Sequence, residues 1–193
     1  MHGGDSVRIT SAPERRALLI LARQAVAQAL AGQAPPEIVP ELSALTEPRG
    51  AFVTIRHLGT GQLRGCRGEF PARRPLPECV RNVSVVSALE DPRFSPLAHD
   101  ELSVVRFEIS ALAPPEPIDP EDVIIGTHGL VLTGDGGAGL LLPQVPVAQG
   151  WDRTAFLDGL CVKAGLPVGA WKWDGVFLQA FEAEVWEEAS DLV

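Results

Sequence analysis

The sequence lacks the patterns that would identify a membrane segment, a secretory signal or a disulfide framework. The longest apolar run near its start, residues 17–22, is too short to span a bilayer, and the first five residues do not resemble a signal peptide. The three cysteines are an odd number at wide spacing, which is typical of a reducing compartment. We therefore expect a cytoplasmic protein without membrane contact.

The sequence also lacks the ligand spacing of a metal or cofactor site. Its four histidines form no HxH or HxxxH pair, and its cysteines form no CxxC pair, so neither zinc nor an iron–sulfur cluster is indicated. The patterns GxGxxG and GxxxxGKS or GxxxxGKT are absent, which removes the usual indications of a dinucleotide or P-loop nucleotide. We expect no metal and no cofactor.

Basic residues are not in excess, because the formal net charge is −9. General nucleic-acid binding depends on accumulated Lys and Arg, so it is not expected. Residues 49–93 differ from the rest of the chain, since they hold eight arginines against four acids. This segment could bind a small anionic ligand, and the alternative is that its arginines are solvated or paired with nearby acids.

The most informative motif is LRGCRG, which places Cys66 between two glycines and two arginines. Gly65 and Gly68 predict a turn with positive φ that lets a ligand or another backbone come close. Arg64 and Arg67 would favour the thiolate of the cysteine. The motif therefore predicts a reactive thiol with four ligand-binding neighbours, and the alternative is a buried cysteine whose glycines serve only the turn.

The order of polar and apolar residues predicts an α+β fold. Helices are predicted from a capping box at Ser11 and Glu14 to about residue 31, from 77 to 89, and from an N-cap at Asp152 to Gly165. Strands are predicted at 51–58, 105–111, 129–133, 139–142 and 176–186. Because the strands do not alternate regularly with helices, we expect a mostly antiparallel sheet flanked by helices, with room for a small subdomain.

Further motifs follow the cysteine motif in order: SALEDPRF at 87–94, GTHGL at 126–130, LLPQV at 141–145, QGWD at 149–152 and KAGL at 163–166. Together they resemble the AMMECR1 family over about residues 11–186. Arg67 departs from the family, in which isoleucine is more frequent here, and adds a charge beside the thiol. The resemblance implies a sheet with flanking helices and a subdomain, with an AMMECR1-like domain at 11–188 between a flexible N-terminus (1–10) and a C-terminal tail (189–193).

The resemblance implies partners more than a reaction. Prokaryotic members resemble protein A of the AmmeMemoRadiSam system, which is grouped with a Memo-like protein and a radical S-adenosylmethionine enzyme. We expect this chain to act with both in a modification pathway, and whether it is an enzyme stays open. The alternative is a non-catalytic adaptor that binds those partners.

In the catalytic version, Cys66 is a covalent nucleophile, His128 is its base and Arg64 holds an anion. His128 occupies a matching motif position, and the alternative is a histidine that only forms structural hydrogen bonds. Arg93 is a candidate contact for a carboxylate or phosphate. Asp91, which precedes a proline, is interpreted as part of a helix-ending turn.

A second group of candidates lies further along the chain. Gln144 and Asp152 bracket a connection that would form a pocket wall, with Trp151 as its apolar surface. The alternative for Trp151 is a hydrophobic plug. Cys79 and Cys161 fall among apolar residues of predicted helices and are expected in the core.

Overall fold

A computed structural model describes residues 9–189 of the chain. Its helices are α1 (Ala12–Leu30), α2 (Leu76–Leu89), α3 (Gln144–Gln149) and α4 (Arg153–Lys163). Its strands are β1 (Ala51–His57), β2 (Leu63–Glu69), β3 (Val105–Leu112), β4 (Glu116–Pro117), β5 (Gly129–Gly134), β6 (Gly137–Leu141), β7 (Phe177–Phe181) and β8 (Ala183–Glu187). The predicted α+β class is confirmed, with antiparallel pairing in two sheets.

The chain divides into two compact units. The first unit holds residues 9–112 and 184–189 with a sheet of order β2-β1-β3-β8, and the second is Ala113–Ala183 with a sheet of order β4-β7-β5-β6. The strand predicted at 176–186 is wrong as a single strand. It is β7 and β8, which lie in different sheets on either side of Glu182.

The core of the first unit lies between one face of its sheet and the helices α1 and α2. Alternate residues of β1 and β3 are fully buried on that face, as the predicted alternation of 105–111 requires: Val53, Ile55, Phe107 and Ile109. Burial of large apolar side chains on a half-covered sheet is the main favourable contribution to folding here.

The predicted ends of two helices are confirmed. At the start of α1, the Glu14 carboxylate accepts hydrogen bonds from the N–H and the hydroxyl of Ser11 (2.7 and 2.6 Å). At the start of α4, the Asp152 carboxylate accepts a hydrogen bond from the N–H of Ala155 (2.8 Å). Gly32 and Gly165 follow the two helices with positive φ, 65° and 78°.

The end of the chain completes the first unit. The Glu188 side chain is buried, pairs with Arg23 (2.6 Å) and accepts the N–H of Phe107 (2.8 Å). The Glu184 carboxylate accepts the N–H groups of residues 9 and 10. The remainder of the predicted N-terminus and tail, residues 1–8 and 190–193, lies outside the described residues.

The cysteine motif forms a strand and not the predicted turn. Cys66 lies in the middle of β2 and stands opposite Thr54 of β1, and the turn comes earlier, at residues 58–60. Gly65 and Gly68 do not have positive φ. Glycine is required at both positions because there is no room for a side chain. A Cβ on Gly65 would collide with the carbonyl oxygen of Ser87, and a Cβ on Gly68 would collide with the ring of Phe52.

In the second unit, α4 packs against β5 and β6 around a core that includes Leu130, Leu132, Phe156 and Leu160. The predicted strands at 129–133 and 139–142 form the hairpin of β5 and β6. The predicted connection between Gln144 and Asp152 is partly helical, because α3 covers Gln144–Gln149. No helix within residues 9–189 combines the length and apolar character needed to cross a bilayer.

Replacing Gly65 with alanine should destabilise the first unit, because the added methyl group would overlap the Ser87 carbonyl oxygen. We expect the free energy of unfolding to fall by about 1–3 kcal/mol, the usual cost of overpacking. Urea unfolding followed by circular dichroism measures the change. Gly59→Ala is the matched control, since nothing lies within 4 Å of its added Cβ. Equal stability of the two variants would contradict the steric reason for Gly65.

Candidate functional site

The backbone of Cys66 is held by an ion pair between a buried carboxylate and a half-exposed guanidinium. Its N–H donates to Oδ2 of Asp91 (2.8 Å), and its carbonyl oxygen accepts from Nη2 of Arg93 (3.1 Å). The Asp91 side chain is 2% exposed, whereas that of Arg93 is 54% exposed. One ion pair therefore fixes both polar groups of the cysteine backbone.

The two charged groups of this pair are joined at several points. Nε and Nη2 of Arg93 donate to Oδ1 and Oδ2 of Asp91 (2.9 and 2.6 Å), and the Arg93 N–H adds a third bond (3.1 Å). These bonds hold the pKa of Asp91 well below its usual range, although burial acts in the opposite direction. Asp91 therefore stays ionised at neutral pH, and the guanidinium is oriented as a fork.

Arg64, the anion holder that the sequence predicts, is buried and already paired with a carboxylate of this chain. A register shift in the pairing of β1 and β2 occurs next to it, and its guanidinium binds the Glu101 carboxylate through Nε and Nη2 (2.7 and 2.9 Å). Nη1 donates to the Ser95 carbonyl (3.0 Å). These bonds lower the pKa of Glu101. Arg64 and Arg93 both lie over the ring of Phe94 (5.9 and 5.5 Å to the centroid).

The end of α2 bridges the strands β2 and β1. The Ser87 hydroxyl accepts the N–H of Arg67 (2.9 Å) and donates to the carbonyl of Val53 (2.9 Å), which is the residue opposite Arg67 in β1. Because side chains alternate along a strand, Arg67 leaves the sheet on the face opposite to the thiol. Its charge therefore does not lie on the same face as the sulfur.

The thiol lies on the face of the first sheet that points away from α1 and α2. The Thr54 hydroxyl donates to the sulfur of Cys66 (3.4 Å). We call this surface the cysteine face and define it by the residues that share it in the strand register: Phe52, Thr54, Arg56, Cys66, Arg106, Glu108 and Ser110. It carries a thiol, hydroxyl groups, guanidinium groups and a carboxyl group within one sheet.

Comparison with known proteins agrees with this motif-based description. The AMMECR1 family model matches residues 19–186. The chain belongs to the AMMECR1 family. Protein MK0488 of Methanopyrus kandleri is 37% identical to it, over 89% of this chain and 86% of that protein. Protein NEQ441 of Nanoarchaeum equitans is 39% identical, over 87% of this chain and 97% of that protein.

A solved structure has the same fold. The crystal structure of the uncharacterized protein PH0010 from Pyrococcus horikoshii matches with a TM-score of 0.80 and 38% identity, over 89% of each chain. The α+β architecture is therefore that of an AMMECR1 domain. The names of these relatives assign no reaction.

The predicted base, His128, lies in the second unit, whereas Cys66 lies in the first. Nδ1 of His128 accepts the N–H of Ile124 (3.2 Å), and the His128 N–H donates to the Ile124 carbonyl (3.0 Å). The ring also lines a cavity of 370 Å³ together with Glu116, Phe181 and Glu182. Within its own unit, His128 thus stabilises a turn beside a cavity, and its pairing with the thiol stays a prediction.

The other candidates of the second unit have local roles in the described structure. Trp151 packs on Gly159, where an added Cβ would collide with the indole. Its side chain also contacts the apolar core, as expected for the alternative in which Trp151 is a hydrophobic plug. Asp152 uses its carboxylate to cap α4. Gln144 is the exposed first residue of α3. Ligand binding by these three residues stays a prediction.

Several arginines of the basic segment 49–93 have partners nearby. Arg74 pairs with Glu69 (3.1 Å), Arg93 pairs with Asp91, and Arg64 pairs with a carboxylate beyond the segment, Glu101. These ion pairs therefore neutralise part of the positive charge that the composition of segment 49–93 suggests. Arg67 and the open side of Arg93 remain exposed.

Sequence reasoning missed the residues that position the thiol. Asp91 was interpreted as a turn residue, but its carboxylate is the anchor of β2. Ser87 and Asp91 both belong to the motif SALEDPRF, so the only signal for them was the family motif itself. Glu108 appeared as one polar position in the alternation of β3, and nothing in one sequence separates it from a solvated side chain.

Replacing Asp91 with asparagine should destabilise the protein at neutral pH by about 1–3 kcal/mol, the usual cost of impairing buried hydrogen bonds to a charged group. The folded state lowers the pKa of Asp91, so its stabilising contribution is complete above the unfolded value of about 3.9 and is lost as pH falls below it. The difference between wild type and variant should therefore shrink in acid. Urea unfolding at pH 7 and pH 3 measures it, with the exposed Asp100→Asn as control, and a difference independent of pH would contradict the ion pair.

Cys66 should be the first of the three thiols to react in the native protein. Cys79 and Cys161 are 0% exposed, and burial raises the pKa of Cys161 and raises that of Cys79 to about 12. Cys66 is only partly buried. Mass spectrometry after brief treatment with iodoacetamide ranks the three sites, and urea-unfolded protein should label at all of them. Earlier labelling of either helix cysteine would contradict the prediction.

Proposed function

We propose that this chain is a thiol-dependent AMMECR1 protein that acts with a Memo-like protein and a radical S-adenosylmethionine enzyme in a modification pathway. Its motifs support the partners, because they resemble protein A of the AmmeMemoRadiSam system. Cys66 is the covalent nucleophile of this function. The protein is then an enzyme, or the acceptor of a group that a partner delivers.

The observation that carries the proposal is the number of bonds that converge on Cys66. Asp91 binds its N–H, Arg93 binds its carbonyl and the Thr54 hydroxyl binds its sulfur. Two of these bonds fix the backbone at this position, and the third contacts the sulfur of a thiol that is partly exposed, whereas the other two cysteines are buried in apolar cores. Fixing a nucleophile in one orientation is a requirement of covalent catalysis.

A small anionic ligand fits the edge of the same strand. Arg93 is oriented by Asp91 and stacked on Phe94, yet half of its side chain faces solvent. A guanidinium fixed in this way is suited to a carboxylate or a phosphate group. The ligand would lie beside the carbonyl group of Cys66, within reach of the motif that the sequence singled out.

Replacing Cys66 with serine should abolish the function of the pathway and leave folding and partner association intact, because a nucleophile acts on the transition state and contributes little to stability. The measurement is complementation of a strain that lacks the gene, with pull-down of both partners by the variant. Cys79→Ser is the matched control and should complement, provided that it folds. Full complementation by Cys66→Ser would eliminate the thiol mechanism.

His128→Gln tests the predicted base in the same assays. Loss of complementation with unchanged thermal stability would support a chemical role for the imidazole. Loss of stability alone would assign His128 to the turn in which it accepts the N–H of Ile124. The outcome for Cys66 does not depend on this arm of the experiment.

The adaptor alternative is favoured by one observation in the second unit. Large apolar side chains are exposed between residues 162 and 177, each by more than half: Val162, Val168, Trp173 and Phe177. Large apolar side chains exposed within one stretch of the chain are candidates for contact with a partner protein. If this surface binds a partner and the thiol is dispensable, Phe177→Ser will abolish the pull-down and complementation, whereas Cys66→Ser will preserve both.

A further inference from the structure

We propose that Glu108 is the proton donor for an acyl substrate, an ester or thioester, whose carbonyl carbon is attacked by Cys66. The inference rests on the proposed nucleophilic role of Cys66 and adds the substrate class and a second reacting group. It uses only residues of the first unit.

The first observation is a row of three side chains across the sheet. Thr54 of β1 stands opposite Cys66 of β2 on one side and opposite Glu108 of β3 on the other. Residues directly opposite each other in antiparallel strands point to the same face. The thiol and the carboxyl group therefore stand at the two ends of one row, with a hydroxyl group between them.

The second observation is the burial along this row. Thr54 in the middle is buried, whereas Cys66 and Glu108 at the ends are partly exposed. Ser110, two residues from Glu108 on the same face, is 1% exposed, and its hydroxyl has no hydrogen-bond partner within residues 9–189. An unpartnered buried hydroxyl is costly in a folded protein unless something else binds it. The adjacent row, in which Ser110 stands opposite Phe52, therefore holds a hydroxyl group that a ligand could bind.

The third observation concerns the carboxyl group itself. Among residues 9–189, the Glu108 carboxyl group forms no hydrogen bond or ion pair, and burial raises its pKa. The charged groups that face it are Arg56 of β1 and Arg106 of its own strand, which favour ionisation, and Glu187 of β8, which opposes it. Burial outweighs the two arginines, so the protonated form persists to higher pH than in an ordinary glutamate. In its protonated form, this carboxyl group can donate a proton to a substrate oxygen.

The distance across the row suits a carbonyl group. Neighbouring strands are about 4.8 Å apart, so the Cβ atoms of Cys66 and Glu108 are separated by about 10 Å. A carbonyl carbon in contact with a sulfur atom, with its oxygen hydrogen-bonded to a carboxylic acid, spans about 7 Å. The two side chains fill the remaining distance. The carbonyl group would lie above Thr54, with its oxygen toward Glu108.

The chemical step is balanced with these groups. Cys66 first loses its proton to water, and the thiolate then forms a carbon–sulfur bond with the carbonyl carbon. The π electron pair moves to the oxygen, which takes the proton of Glu108. When the intermediate collapses, that proton returns to Glu108, the carbonyl double bond re-forms and the leaving group departs with its bonding electrons. The product is an acyl thioester on Cys66.

Two probes of the Cys66 thiol test the inference with the full chain. p-Nitrophenyl acetate is attacked at a carbonyl group and releases p-nitrophenolate, whereas iodoacetamide is attacked at a saturated carbon and releases iodide. Glu108→Gln should slow acylation of Cys66 at least about tenfold, because general acid catalysis is lost. Alkylation by iodoacetamide should change by no more than about twofold, since no charge develops on an oxygen at the reacting carbon.

The pH profile supplies a readout that a structural role would not change. The ratio of the wild-type acylation rate to that of Glu108→Gln should fall as rising pH removes the proton of Glu108. The corresponding ratio for alkylation by iodoacetamide should not depend on pH in this way. Glu41→Gln, which removes an exposed carboxylate on a distant 3-10 turn, is the matched control and should retain the wild-type profile.

The possible outcomes separate the two levels of the proposal. Acylation that is unchanged in Glu108→Gln, or slowed to the same extent as alkylation, would overturn the role of Glu108 and leave the nucleophile intact. Failure of both probes to modify Cys66 in the wild type would overturn the proposed function and this inference with it. Glu108→Asp, which keeps a shorter acid, should retain part of the rate advantage in acylation and guards against misfolding of the glutamine variant.

Discussion

A single buried carboxylate joins the end of α2 to the edge strand of the first sheet. Asp91 is ionised, almost inaccessible to water and bound at the same time by the guanidinium of Arg93 and by the N–H of Cys66. An edge strand normally presents such groups to solvent. Here the strand is tied to a helix instead, so the orientation of the thiol depends on the geometry of one ion pair.

The close approach of helix and strand limits what the motif can contain. A side chain at Gly65 would displace the last turn of α2, and with it the hydroxyl of Ser87 and the carboxylate of Asp91. The glycines on either side of the thiol are therefore parts of the same junction as the ion pair. The motif encodes a packing arrangement around a cysteine more than a flexible loop.

Sequence reasoning succeeded where a local pattern decides the structure. The capping box of Ser11 and Glu14 and the alternation along β3 need only neighbouring residues, and both are present. It failed where a distant segment decides. The glycines of β2 suggested positive φ, because nothing in the local sequence indicates that α2 packs against them.

The same reason explains the limits at the site. Asp91 followed by a proline is a common turn signal, and its partner Cys66 is 25 residues away. Glu108 differs from an ordinary surface residue only through the register that places it in line with Thr54 and the thiol. Cross-strand register depends on turns and bulges, such as the irregularity next to Arg64, that a single sequence does not reveal.

The arrangement of the first unit has a consequence for synthesis of the chain on the ribosome. Arg23 is paired with Glu188, 165 residues later, and β8 joins the sheet only after the whole second unit has been made. Until then, the emerging polypeptide has an exposed edge at β3 and an uncompensated positive charge on α1. The first unit therefore completes its sheet through contacts of high sequence separation, which form late because a long loop must close first.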